Sequence, residues 1–316
     1  MTNNLRIVFM GTPDFAVGVL DALVANNYNL LGVVTAADRP AGRRRLLQPS
    51  AVKSAALAHN LPLWQPESLK DQNFLQELEA LQPDVFVVVA FRMLPEVLWR
   101  IPKHGTFNLH ASLLPQYRGA APINWAIING ESSTGVTTFF IDHQIDTGAI
   151  IQSANCPIES SDNASRLHDK LMHQGTELVM STLEAIDQGT AVPKPHELSV
   201  VLNSAPKLNA ENTRINWHLP AFKILNLIRG LDAYPGAWTS LIRNGEALKV
   251  KIYEVEKTQL TSSLEPGSIS ADKKTLLIHT ADYLLAVKSI QLPGKKKMPA
   301  VSLLNGYSFE KDDKFV

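Results

Sequence analysis

Asn108 and His110 stand two residues apart at the end of the apolar run Thr106–Leu109. A carboxylate, Asp146, follows in the polar loop Asp142-His143-Gln144-Ile145-Asp146-Thr147-Gly148. Side chains on a strand alternate between faces, so residues 108 and 110 project from the same one. A carboxamide N–H and an imidazole lining one crevice can hold the negative charge that develops on a carbonyl oxygen under attack, worth about 10²–10³ in rate per donor. A carboxylate beside the imidazole favours its protonated form or takes a proton through it, worth on the order of 10²–10⁴. Together the three groups suit acyl transfer without a protein nucleophile. Taken singly, each has an ordinary use: Asn108 as a turn former, His110 as a satisfied core histidine, Asp146 as a loop cap.

Between them runs Ser112-Leu113-Leu114-Pro115-Gln116-Tyr117-Arg118-Gly119-Ala120-Ala121-Pro122, a rigid turn segment with two prolines that leads into a helix over Ala121–Ile128. Other chemistries find less support. The chain has nine His but no His/Cys cluster with ligand spacing, so no metal is expected. Cys156 is the only cysteine, which rules out an intrachain disulfide, suits a reducing cytoplasm and reads as a structural thiol. Gly11 sits between a strand and a helix, but no Gly-x-Gly-x-x-Gly is present, and NAD or ATP binding is disfavoured.

The elements that must position these groups alternate. Leu5–Met10, Leu30–Thr35 and Val85–Ala90 read as buried strands, and Thr106–Leu109 and Gly135–Ile141 as two more. Helical patterns fall at 13–25, 51–59, 72–81 and 164–187. Strands without polar alternation, separated by helices, predict an α/β domain with a Rossmann-like, mostly parallel sheet covered on both faces. Ligand crevices open at the strand ends of such sheets. Gly189, Pro193, Pro195 and Pro206 mark a linker, which divides the chain into 1–189, a linker 190–206, and 207–316. Beyond it, a helix at 221–231 and short strand patterns at 237–242, 247–255, 275–280 and 284–290 predict a small OB-like β-barrel.

With 316 residues, 45% of them apolar and 19% charged, the chain is globular in composition and has no apolar run long enough to span a membrane. Net charge is zero, but its distribution is not even. Residues 1–205 hold 14 Lys/Arg and 19 Asp/Glu, whereas residues 206–316 hold 16 and 11. The second part is therefore expected to face something anionic, although two solvated surfaces could differ this much by chance. A cytoplasmic monomer is expected.

The run NLHASLLPQYRGAAPINWAIINGE (Asn108–Glu131), followed by IDHQIDTGAII (Ile141–Ile151), resembles the signature of folate-dependent formyltransferases. FMGTPDFAVGVLDAL (Phe9–Leu23), DRPAGRRR (Asp38–Arg45), RINW (Arg214–Trp217) and PGKKKM (Pro293–Met298) resemble, more narrowly, the members that act on methionine-charged initiator tRNA. The resemblance covers essentially the whole chain. It implies formyl transfer from 10-formyltetrahydrofolate to the free α-amine of the esterified methionine, for translation initiation. It implies that Asn108 and His110 bind the oxyanion while Asp146 orients His110 and helps to remove the proton.

By the same resemblance, Ser112, Leu113, Leu114 and Pro115 line the folate site. Phe91, Arg92, Met93 and Leu94 stand in the stretch whose backbone holds the pterin, where this chain departs from the longer YGLILP-like form. Ala111 stands where many members have Gly, which is tolerable at negative φ. The loop bearing Arg39, Arg43, Arg44 and Arg45 is implied to enter the acceptor stem, with Arg43 as the key contact and Lys207 near the bound tRNA. Lys295, Lys296 and Lys297 add a basic cluster; such phosphate contacts give affinity with steep salt dependence.

Three rival functions stand beside this one: a formyltransferase acting on a sugar amine or a ribonucleotide amine, a non-catalytic tRNA-binding protein, and a hydrolase that releases formate from the same folate. The triplet does not distinguish the first. The arginine loop and the basic second domain favour tRNA.

Overall fold

Five apolar runs pair in parallel, as strands buried on both faces do. In the computed structural model, which describes residues 4–41, 46–196 and 202–316, Ile7–Gly11 lies between Leu30–Val34 and Val85–Val89. Leu63–Trp64 extends the sheet beyond Leu30–Val34, and Thr106–His110 extends it beyond Val85–Val89. Ser133–Phe140 then joins antiparallel to Thr106–His110, and Ile150–Pro157 forms the edge of the seven-stranded sheet. The two central strands, IVFMG and VFVVV, are buried at every residue.

Two of the crossover helices begin where capping residues stand. Ser50 Oγ accepts from the Lys53 amide at 3.0 Å at the head of Ala51–Ala58, and the Asp71 carboxylate accepts from the Phe74 amide at 2.9 Å at the head of Gln72–Ala80. Each such cap contributes about 1 kcal/mol. Phe74, Leu75 and Leu78 of the second of these helices pack with Met10, Phe86, Val88 and Leu98 into a core on one face of the sheet. The chain runs outward from Ile7–Gly11 in one direction and, from Val85–Val89, in the other. The crevice of such a sheet opens where the order reverses, at the carboxyl ends of these strands.

The described residues fall into two compact units, one from 1–119, 134–157 and 168–204, the other from 120–133, 158–167 and 205–316. The second unit holds a nearly closed antiparallel barrel. Its strand order is Ile269–Ala271, Leu276–His279, Tyr283–Gln291, Glu246–Thr261, Ala237–Arg243, Lys314–Phe315. A bridge between Ser268 and Lys314 and a 2.9 Å bond from the Phe315 amide to the Gly267 carbonyl draw the two edges together. Ile224, Ile228 and Leu231 of helix Ala221–Leu231 are spaced to form one buried stripe and fill the barrel core with Ala237, Leu241, Val250 and Ile290. Helix Pro122–Ile128 belongs to this unit: the Asn124 carboxamide donates to the Gly230 carbonyl at 2.7 Å.

The α/β sheet and the barrel follow the expectation, with local differences. Strand Ile150–Pro157 was not expected. As an edge strand it exposes polar residues, so it lacks the apolar run that marks its neighbours. The barrel strand expected at 247–255 runs on through Thr261, because its far half is solvent-facing. Arg39–Ala41 and Leu46–Gln48 pair as a hairpin where a loop was expected. Among the described residues no helix is long and apolar enough to cross a membrane.

Candidate active site

Strand Thr106–His110 aims its alternate residues as the spacing predicts. Leu109 is buried on one face against Gly175 of helix Ala164–Asp187, and Asn108 and His110 therefore point from the other. The Asn108 carboxamide is half-buried, and among the described residues no hydrogen bond engages it. His110 is 6% exposed. Its Nε2 lies 2.9 Å from the Tyr117 carbonyl oxygen, which can only accept, so Nε2 carries the proton and donates. The free nitrogen, Nδ1, faces Asp146 Oδ2 at 3.8 Å. That separation is too long for a hydrogen bond but short enough for strong attraction once the ring is protonated. The ring is thus oriented by a backbone carbonyl, not by the carboxylate.

Asp146 is positioned by its own loop. Asp142 Oδ1 accepts from the Gln144 amide at 2.9 Å and from Thr147 Oγ1 at 2.7 Å, which assigns Asp142 to folding the loop and leaves Asp146 to face the imidazole. Asp146 Oδ2 also accepts from the Gly119 amide at 3.0 Å. Gly148 closes the loop with no room for a side chain: a Cβ there would lie 1.7 Å from the Phe140 carbonyl oxygen. Two residues that sequence reading missed support this loop. Arg118 Nη2 donates to His196 Nδ1 at 2.6 Å, and His196 Nε2 donates to the Gly148 carbonyl at 2.8 Å. Burial holds the His196 pKa below its usual value, with the Arg118 charge acting in the same direction. His196 lies in the proline-rich stretch after Pro193, where no periodicity points to it.

The Ser112–Pro115 segment forms an adjoining wall. Ser112 is fully buried; its hydroxyl donates to the Gln116 carbonyl at 2.6 Å, while its own carbonyl accepts from Thr137 Oγ1 at 2.7 Å. Thr137 Oγ1 in turn accepts from the Leu114 amide at 3.1 Å. Leu114 is buried, Leu113 and Pro115 are half-buried, and Ala111 has no positive φ, so its Cβ is unstrained. Across the strand ends, Phe91, Arg92, Met93 and Leu94 follow Val85–Val89. Leu94 enters the core, Met93 is 67% exposed, and Arg92 caps the carbonyls of Glu67 at 2.9 Å and Pro66 at 2.5 Å. Among the described residues no hydrogen bond occupies the amides of Phe91, Arg92 and Met93, which fits a ring system read through backbone groups. A groove of about 770 Å³ lined by Ser68, Lys70, Arg92, Met93 and Pro95 lies beside this stretch.

Ala90, Tyr117 and Asp146 all adopt left-handed backbone, at φ of 47°, 58° and 55°. Such conformations cost of order 1–3 kcal/mol at non-glycine residues and cluster at ligand sites. The other non-glycine cases among the described residues are Asn27, Asn60, Asn244 and Gln82. Gly11 has a packing reason rather than a nucleotide: a Cβ there would meet Ala16 Cβ at 2.6 Å. Cys156 is buried in its strand. Among the described residues no group of three or more His, Cys, Asp or Glu could hold a metal.

Arg39 is exposed on its hairpin; Arg43, Arg44 and Arg45 lie outside the described residues. Asp38, the one acid beside them in sequence, is bound to Lys53 at 2.6 Å and Gln65 at 2.8 Å. Lys207, Lys295, Lys296 and Lys297 are all exposed in the second unit.

Residues 5–183 match the family "Formyl transferase" and residues 207–308 match "Formyl transferase, C-terminal domain". The methionyl-tRNA formyltransferase of Flavobacterium johnsoniae is 52% identical over 310 residues, covering 98% of each chain. That of Bacteroides fragilis is 52% identical over 309 residues, covering 96% of this chain and 95% of the other. Among solved structures, an N-formyltransferase of Helicobacter canadensis, in complex with folinic acid and dTDP-3-aminofucose, superposes with a TM-score of 0.67 at 21% identity, covering 90% of this chain and 98% of that one.

Proposed function

The chain belongs to the formyl transferase family, and from that premise we propose that Asn108, His110 and Asp146 perform the transfer in the crevice at the strand ends. The reaction carries a formyl group from 10-formyltetrahydrofolate to the α-amine of methionine esterified to initiator tRNA, at translation initiation. The folate, when bound, supplies the formyl group on its N10.

Everything else falls to the chain's own residues. The free amides of Phe91, Arg92 and Met93, with Leu94 anchoring the stretch in the core, hold the pterin edge. Ser112, Leu113, Leu114 and Pro115 form the wall; Ser112 acts through the turn that its buried hydroxyl fixes. The unengaged Asn108 carboxamide donates to the formyl oxygen as negative charge develops there. His110, with Nε2 committed to Tyr117, presents Nδ1 to take the proton of the attacking amine. Asp146, 3.8 Å away, stabilises the imidazolium that results. The protonated Nδ1 donates to the oxyanion and then gives its proton to the folate N10 as the bond from the formyl carbon to N10 breaks, so the formyl group stays on the methionine amine and tetrahydrofolate leaves. No step needs a metal.

The observation that carries this reading is the free Asn108 carboxamide on the same strand face as an imidazole with one free nitrogen beside a carboxylate. We assign residues 1–189 to catalysis, 190–206 to a linker and 207–316 to tRNA binding. Arg39, Arg43, Arg44, Arg45, Lys207, Lys295, Lys296 and Lys297 contact tRNA phosphates. Asp38, the acid beside them in sequence, is already paired with Lys53. We assign the reaction to the cytoplasm and to a monomer; one chain carries all three groups of the triplet. The test is turnover of Asn108→Ala and His110→Ala: kcat falls by at least about 10²-fold in each, with folate affinity within about twofold of wild type by titration. Near-normal turnover in either variant removes that residue from the mechanism.

A further inference from the structure

The loop after helix Ala221–Leu231 presents one aromatic ring to solvent while every neighbouring group is fixed. Tyr234 is 86% exposed, and among the described residues it makes no hydrogen bond and no ring contact. Exposure of this kind usually accompanies a mobile loop, and this loop is pinned along its length. Asn163 Nδ2 donates to Asp232 Oδ2 at 2.7 Å, Ser165 Oγ accepts from the Ala233 amide at 3.1 Å, and the Gly236 amide donates to the Leu231 carbonyl at 2.9 Å. Gly236 has φ of +81° and sits against the Tyr253 ring, where a Cβ would come within 2.9 Å.

The pins on the barrel side are lysines. Lys251 Nζ donates to the Pro235 carbonyl at 2.6 Å. Lys297 Nζ bridges to Asp232 Oδ1 at 3.0 Å and lies 4.5 Å from the centre of the Tyr253 ring. Tyr253 Oη donates to Gln291 Oε1 at 2.8 Å, and Gln291 Nε2 donates to the Lys295 carbonyl at 2.8 Å. Tyr253 thus joins the 232–236 loop to the exposed Lys295-Lys296-Lys297 turn. A bare ring on a loop pinned by Lys251 and Lys297, with Lys295 and Lys296 exposed in the turn that Tyr253 joins to that loop, fits a nucleotide: the ring offers a stacking surface and the lysines meet the flanking phosphates.

We propose that Tyr234 is a stacking platform for an unpaired base of the tRNA acceptor, with Lys251, Lys295, Lys296 and Lys297 holding the adjoining phosphates. This rests on the reading that charged tRNA is the acceptor. A base within a duplex is already stacked on both sides, so the occupant is a single-stranded nucleotide. Because Tyr234 is exposed and makes no hydrogen bond or ring contact among the described residues, its replacement leaves the fold intact, with an unchanged Tm as the check.

The experiment measures two things on wild type, Tyr234→Ala, Tyr234→Phe and Tyr234→Trp: KM for methionine-charged tRNA, and anisotropy of fluorescein-labelled tRNA at several salt concentrations. Base–aromatic stacking predicts that Tyr234→Ala weakens both by about 5- to 150-fold, with kcat and the KM for folate unchanged. Phe and Trp should retain binding. The salt slope should stay constant in Tyr234→Ala and fall by about one in Lys296→Ala. Binding by Tyr234→Ala within twofold of wild type overturns the proposal, as does a loss in Tyr234→Phe equal to that in Tyr234→Ala, which would assign the contact to the hydroxyl. Wild type that bound tRNA but formylated none would strike the acceptor reading, while the anisotropy series would still decide the stacking.

Discussion

His110 has one ring nitrogen committed to the Tyr117 carbonyl and the other turned toward a carboxylate it does not touch. Asp146 therefore matters for charge more than for orientation. Asp146→Asn, which keeps the shape and removes the charge, should lower kcat by about 10²–10⁴-fold with little change in folate affinity; stopped-flow transfer and equilibrium titration separate the two. The His196 latch gives a pH prediction. Its folded pKa is depressed below its unfolded value near 6.5, so its contribution to stability is complete above that pH and is lost as pH falls through the folded pKa. Protonated Nδ1 can no longer accept from Arg118. Wild type should lose more Tm between about pH 7 and 5 than His196→Gln does; equal losses would remove the latch. Asn108, His110 and Asp146 were legible from alternation and from the strand-end loop. Tyr117 was not, because its contribution is a backbone carbonyl, and neither was His196, which lies 48 residues from the carbonyl it binds.

Strands and turns place these groups only where the backbone can pass closely. Gly148→Ala must push the Phe140 carbonyl aside, since the added carbon would sit 1.7 Å from it. It should destabilise the chain by about 1–3 kcal/mol in urea unfolding and lower kcat by displacing Asp146. Unchanged stability would mean that the loop relaxes freely. The buried central strands were readable because both faces are apolar. Edge strand Ile150–Pro157 was not, because only one of its eight residues is buried and three face solvent. The hairpin Arg39–Ala41/Leu46–Gln48 escaped for a related reason: three-residue strands are too short to show a period.

Across the whole molecule a zero net charge conceals a second part with 16 basic and 11 acidic residues. If these cations meet tRNA phosphates, the KM for charged tRNA should rise steeply with salt while that for folate stays nearly flat. A salt-independent KM for tRNA would contradict the assigned contacts. Sequence showed this imbalance and the arginine loop, but not which lysines share a surface, because that depends on the barrel register that brings Lys251 and Lys297 to one loop. The most direct measurement supplies 10-formyltetrahydrofolate labelled in the formyl group together with methionine-charged initiator tRNA, charged elongator tRNA or a nucleotide-linked amino sugar. Label should enter the methionine of initiator tRNA and be abolished in Asn108→Ala. Label in the amino sugar, or none in the charged initiator tRNA, would contradict it.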